Sequence, residues 1–233
     1  MITLLPAAER FHTENDWVDS WHSFSFGQHH DDSREGFRNL VVINDDRVRA
    51  DEGVGNHGHE EMEIVTYLVS GMIEHKDSIG THDVIEPGDV QRMTAGKGVR
   101  HSEMNPLPDE EAHLLQIWLL PNRGGLAPGY AQQRFEEDSK HNTLKLVVSG
   151  TPREGVVDIH SDVDLYAAVL DEGAVVSTPL ARSGHGWVQV IRGAVDVNGV
   201  AAAAGDGLQI SDVAALTITG KAADSELLVF DLA

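Results

Sequence analysis

The chain has 233 residues, a formal net charge of −21 at pH 7 and no cysteine. That charge repels nucleic-acid phosphates and anionic membrane surfaces, so neither is an expected partner. Without thiols there are no disulfides and no thiolate metal sites, and any transition metal must be held by histidine and carboxylate.

The opening "MITLLPAAERFHTEND" has neither the charged leader nor the apolar run of a signal peptide. No stretch reaches the roughly 20 apolar residues of a membrane helix. Cytoplasm is the expected compartment. Short β-branched runs bounded by Gly, Pro, Asn and Asp predict strands throughout. The first predicted element is aromatic, with Trp17, Trp21, Phe24 and Phe26 read as packing surface. "NLVVIND" follows, and Asp45-Asp46 reads as a hairpin turn. Next come "MEIVTYLVSG", "HLLQIWLLP", "TLKLVVSG", "GWVQVIRG", "GAVDVNG", "LTITG" and "ELLVFDL". Trp118 reads as buried in a central strand. His75 and His113 either line the interior or, on the preferred reading, form hydrogen bonds in the core or at the surface. Short strands with regular turn signals predict an all-β sandwich or barrel.

A weak internal repeat divides the chain. "EIVTYLVSGMIEH" is followed by "IEPGDVQRM", and "HGWVQVIRGAVDVNG" by "AAAGDGLQI". Gly71 and Gly193 fall at equivalent strand corners, and Gly88-Asp89 and Gly205-Asp206 close equivalent turns. Two similar β-barrel domains in tandem are expected, spanning 1–134 and 135–233, with the join in the Gly/Pro-rich and acidic stretch 121–142.

The chemistry concentrates in the first half. Residues i and i+2 of a strand share a face, so His57 and His59 project together. His101 and Glu103 form a second such pair. If their strands face one another, the two pairs make a site of three histidines and one carboxylate. Imidazole favours Fe(II), Mn, Ni, Cu or Zn over Mg or Ca. Glu63, an even step past His59, competes with Glu103 as the carboxylate or orients a histidine from behind. The second half has only His185 near its equivalent corner and is expected to be metal-free. No phosphate-binding loop or nucleophile elbow is present.

"GNHGHEEMEIVTYLVSG" and "MTAGKGVRHSEMN" resemble the two cupin motifs. With "DSWHSFSFG", "LVVINDDRV", "PGDVQRMTAGKGVRHSE" and "HLLQIWLLP", the chain resembles the pirin family, nearest to bacterial pirin-like quercetin 2,3-dioxygenases. The resemblance implies two tandem cupin domains, a bicupin. It implies one divalent transition metal, first of all iron(II), with Mn, Ni, Cu, Zn or Co as alternatives. The ligands it implies are His57, His59, His101 and Glu103, with Glu63 behind them and Glu103 or Glu63 accepting a substrate proton. The implied reaction opens a flavonol with O2 and releases CO. The alternative it carries is a non-catalytic iron-binding regulator acting through a protein partner. Gly58 stands where relatives usually have Pro, and "GQHHDD" brings His29 and His30 where they tend to carry aromatics.

Overall fold

The computed structural model describes all residues from Met1 to Ala233. It is almost entirely β, with one short α-helix, Glu137–Lys140, and two 3-10 turns. No helix is long and apolar enough to cross a membrane. The chain divides into two compact units. One comprises Phe11–Arg134 with Val157–Ser161, and the other comprises Met1–Arg10, Phe135–Val156 and Asp162–Ala233. The changeover falls between Arg134 and Phe135. Two segments lie outside a simple division into 1–134 and 135–233.

The unit containing Phe11–Arg134 is built from two antiparallel sheets. The larger runs Gly129–Arg134, Asp89–Thr94, Glu63–Ser70, Ala112–Leu119, Leu40–Val48, Val18–His22, Phe11–Glu14. The smaller runs Gly53–His59, Val99–Met104, Ile73–Asp77, His82–Ile85. Their inner faces meet in a core of Val18, Val48, Leu68, Ile73, Ile85, Ala112 and Leu114. A second cluster of Ile64, Met93, Ala95 and Val99 closes one end. This is a double-sheet jelly roll. Asp45 and Asp46, expected as a turn, lie inside the Leu40–Val48 strand and pair with Leu115 and Leu114. Their acidity suggested a turn, but the flanking apolar runs continue the strand on both sides.

The inner face of the larger sheet carries a polar row. Gln91 lies opposite Thr66, Thr66 opposite Gln116, Gln116 opposite Asn44, and Asn44 opposite His22. All but Gln116 are buried, at 3% exposure or less. Buried polar groups of this kind persist only where they are hydrogen-bonded, and this row becomes the floor of the site.

Strand Glu63–Ser70 is buried along most of its length. Its even-numbered residues face the other sheet, and Glu63 faces the opposite way. There Glu63 Oε2 accepts from Thr94 Oγ1 at 3.1 Å and from the His160 backbone N–H at 3.1 Å. Arg92 adds two 2.8 Å bonds to Asp158, through Nε to the backbone oxygen and Nη2 to Oδ1. Asn39 donates to Ser161 Oγ at 2.8 Å. These groups hold the Val157–Ser161 segment onto this unit.

The other unit repeats the plan. Strands Ile2–Leu5, Gly207–Ile210, His185–Arg192, Ser225–Leu232, Val163–Leu170 and Lys145–Ser149 are successive neighbours. A second sheet orders Val175–Pro179, Ala215–Gly220, Ala194–Val197, Val200–Ala203. The sequence repeat has the same geometry in both copies. Glu86 N–H donates to Asp89 Oδ2 at 2.9 Å, and Ala203 N–H to Asp206 Oδ2 at 2.8 Å. The N-terminal segment joins this unit because Ile2–Leu5 pairs with Gly207–Ile210 and the Ala7 N–H donates to Asp206.

Gly71 and Gly193 both turn their corners with positive φ, +78° and +73°. A Cβ on Gly71 would lie 2.6 Å from the Ala112 Cα and from the Glu111 carbonyl oxygen. Left-handed backbone and close approach both require glycine there. Gly71→Ala is expected to cost about 1–3 kcal/mol or more of stability, read as a lowered unfolding midpoint. Gly55→Ala, with open space around it, is expected to stay within about 0.5 kcal/mol of the parent.

Candidate metal centre

His57 and His59 end the Gly53–His59 strand, and His101 lies on the adjacent Val99–Met104 strand. The two strands are hydrogen-bonded neighbours rather than facing strands of a barrel. His101 sits directly opposite His57, and Val99 opposite His59. Between His101 and Glu103 the register shifts, because Gly55 and Asn56 together oppose Ser102. This bulge in "GNH" alters the local twist beside the histidines. Ring centroids lie 4.7 Å apart for His57 and His59, 4.4 Å for His57 and His101, and 5.0 Å for His59 and His101. Each of the three can offer a ring nitrogen within 4.8 Å of the others.

Glu103 is buried next to His101, and it forms a second group with His101 and His75, whose ligand atoms lie within 4.8 Å of one another and which does not include His57 or His59. Glu103 Oε2 accepts from Gln116 Nε2 at 2.9 Å and its Oε1 from Thr66 Oγ1 at 3.4 Å. Both donors belong to the polar row of the larger sheet. His75 also approaches, its ring 5.3 Å from that of His101. Both its nitrogens are engaged, Nε2 donating to Asp77 at 3.2 Å and Nδ1 accepting from Gln91 Nε2 at 3.0 Å. His113 pairs with Asp45 at 2.7 Å.

Glu63 is not part of this assembly. Glu63 does not share a face with His59, because the strand breaks at Glu60–Met62, where Glu61 takes φ +51°. The chain resumes with reversed parity, and Glu63 turns to the clasp on the Val157–Ser161 segment.

Two observations test whether these residues suit a metal. His101 is 1% exposed, and neither of its ring nitrogens has a hydrogen-bond partner. An orphaned buried imidazole is costly unless something fills its coordination. His57 Nδ1 lies 2.9 Å from the Gly55 carbonyl oxygen. A carbonyl only accepts, so Nδ1 carries the proton and the Nε2 lone pair is left for an ion. The donor set of imidazoles and carboxylate fits a divalent transition metal.

Electrostatics agree. Burial, and then the neighbouring His57, pushes His59 down to about 4. Burial, then His57, His59 and His75, pushes His101 down to about 3. Both are therefore neutral and able to ligate at neutral pH. Burial, and then the Asp46 carboxylate, pushes Glu103 up to about 7.

The centre opens into a cavity of about 280 Å3. Apolar walls come from Val48, Val54, Ile64, Ile73 and Leu114, and aromatic ones from Trp17, Phe26 and Trp118. Trp17, Phe26 and Trp118 were expected only as packing residues. Trp118 stands edge-on to His59 at 4.9 Å and to Phe26 at 5.5 Å. Asp46 also lines the cavity. Nothing in local sequence signals that position, because it depends on which strands lie beside Leu40–Val48.

The pirin family model matches residues 5–119, and a model described as the quercetinase C-terminal cupin domain matches residues 146–232. The quercetin 2,3-dioxygenase of Escherichia coli K12 is 44% identical, covering 100% of this chain and 99% of that protein. The crystal structure of YhhW from Escherichia coli superposes with a TM-score of 0.95 at 42% identity, covering 100% of this chain and 98% of that one. The bacterial pirin YhhW in complex with nickel(II), also from Escherichia coli, gives 0.93 at 43% identity, covering 100% and 99%. A full-length relationship of this depth, with both cupin halves matched, means that the chain belongs to the pirin family of two-cupin proteins.

Proposed function

We propose that this chain is a metal-dependent dioxygenase that opens the heterocycle of a flavonol such as quercetin with O2 and releases CO. The observation that carries this reading is the apolar, aromatic-walled cavity converging on three imidazoles and a buried carboxylate. The activity named for the 44% identical relative supports the same reaction class. The metal is assigned to His57, His59, His101 and Glu103. Iron(II) is the first choice, with Mn, Ni, Cu, Zn or Co as alternatives, and the nickel(II) complex of a relative supports a transition metal.

When bound, such a cation supplies Lewis acidity, lowering the pKa of a hydroxyl that meets it. The chain's own groups do the rest. Trp118, Phe26 and Trp17 present flat faces and edges that orient an aromatic substrate, and the aliphatic walls exclude bulk water. Thr66 and Gln116 fix the Glu103 carboxylate by donating to both of its oxygens.

Protein loaded with iron(II) and given quercetin in air is expected to show sustained loss of flavonol absorbance with release of CO, abolished in His101→Ala. Retained metal with no turnover of quercetin or a second flavonol would overturn the enzyme reading in favour of a metal-holding regulator. Glu103→Ala is expected to lose metal and activity together. Glu63→Ala should keep its metal and lose about 1–3 kcal/mol of stability, since it removes a buried acceptor from Thr94 and His160. Metal analysis and thermal unfolding distinguish the two, and the opposite pattern would exchange their roles.

Metal affinity should also depend on pH in a defined window. Glu103 holds its proton up to about pH 7 in the metal-free protein, and a metal must displace that proton. Affinity is therefore expected to rise as pH increases through about 7 and then level off. His59 and His101 are already neutral there, at about 4 and about 3, and add no slope. Chelator competition across this range should show a steeper slope in the parent than in Glu103→Gln.

A further inference from the structure

Two polar side chains stand in the cavity wall without any part in the assigned metal set. Asn44 and Asp46 are residues i and i+2 of the Leu40–Val48 strand, so they share a face, and both line the cavity. In the neighbouring strand His22 lies opposite Asn44, and Ser20 opposite Asp46. Each of the two is held by one oxygen. Asn44 Oδ1 lies 2.8 Å from His22 Nδ1. An amide oxygen only accepts, so that ring nitrogen carries the proton. His22 Nε2 then accepts from Thr13 Oγ1 at 2.9 Å. Asp46 Oδ1 accepts from Ser20 Oγ.

These bonds leave the Asn44 Nδ2 amine and the Asp46 Oδ2 oxygen turned to the cavity. Asn44 is 3% exposed, and its amide cannot flip without setting Nδ2 against the His22 N–H. Neither atom is sealed away as the ring nitrogens of His101 are. Around them the wall is formed by Trp17, Phe26, Val48 and Leu114. A donor and an acceptor among such side chains are costly to dehydrate unless the incoming molecule pairs with them. Strand rise sets residues i and i+2 about 6.7 Å apart. One oxygen between the two side chains can therefore reach both at about 2.8–3.0 Å. A hydroxyl is the group that fits: it accepts from the amine and donates to the carboxylate, or accepts from that group too where Asp46 holds a proton. A ketone or ether oxygen has no proton to donate.

We propose that Asn44 and Asp46 together read a phenolic hydroxyl of the substrate, separate from the oxygen that meets the metal, and that His22 positions Asn44 for this contact. The inference rests on the flavonol reading above, and it makes hydroxylated flavonols the preferred substrates. The place of the pair sets which part of the substrate it meets. Thr66 and Gln116 donate to Glu103, and Asn44 lies one strand beyond Gln116. Adjacent strands stand about 4.8 Å apart. A flavonol with its 3-hydroxyl toward the metal therefore meets the pair with a hydroxyl on another part of its ring system. No covalent bond is made or broken at this contact.

The test compares quercetin with 3-hydroxyflavone, which lacks every hydroxyl but the 3-hydroxyl, on metal-loaded protein. Turnover in air gives kcat and KM. Without oxygen, quenching of the cavity tryptophans Trp17 and Trp118 gives Kd. The parent is expected to favour quercetin in Kd and in kcat/KM by about 10- to 100-fold. Asn44→Leu and Asp46→Leu should each remove most of that preference. The loss should fall on KM and Kd rather than kcat, because the contact is the same in the ground and transition states. His22→Phe should weaken the preference by letting the Asn44 amide turn, and His22→Gln, whose own amide can donate to Asn44, should keep more of it. Equal Kd values for the two compounds on the parent overturn the pair, and that measurement needs no variant to fold. A preference retained in both Leu variants overturns it as well. Either result, with turnover intact, leaves the dioxygenase reading standing. If the parent protein, with metal bound, turns over no flavonol in air, the dioxygenase reading falls and takes this assignment with it.

Discussion

The centre depends on one register. His101 lies directly opposite His57 in an antiparallel pair, and opposed side chains on one face of such a pair stand about 4.5–5.5 Å apart at Cβ. That spacing brings two imidazoles together without any loop having to be ordered for the purpose. His59 joins them because it is two residues along the same strand. The bulge at Gly55-Asn56 absorbs one extra residue just before the histidines. A register slip of one residue would turn the whole set to the other face of the sheet.

The second constraint is the polar row on the facing sheet. A carboxylate in an apolar interior is expensive unless its oxygens are satisfied. Glu103 meets this requirement through Gln116 and Thr66, which are themselves lateral neighbours. The same row holds His75 through Gln91 and His22 through Asn44. It therefore supports the metal side of the cavity at one end and the buried His22 imidazole at the other.

Several expectations met their limits for identifiable reasons. Glu63 counted as a same-face neighbour of His59 only if one strand ran through both. The left-handed residue Glu61 ends that continuity, and Glu63 instead holds the Val157–Ser161 segment. Asp45-Asp46 was legible as acidic and so as a turn, but the neighbouring strands extend pairing across it. Trp17, Phe26 and Trp118 could be assigned to the interior from their size. Whether they face a packed core or a cavity is a property of what lies opposite. The exchange of Met1–Arg10 and Val157–Ser161 between units likewise has no local signal.

What the amino-acid order determined alone was the β-rich class, the duplicated Gly corners and Gly-Asp turns, and the two pairs His57/His59 and His101/Glu103. These follow from covalent geometry: strand parity, the backbone freedom of glycine and the chemistry of each side chain act over a few residues. Only the tertiary structure decided which strands became neighbours and in what register. That choice set the partners of Glu103, the cavity walls and the turn of Glu63 away from the histidines. Those contacts join residues distant in sequence, and they exist only once both sheets have packed.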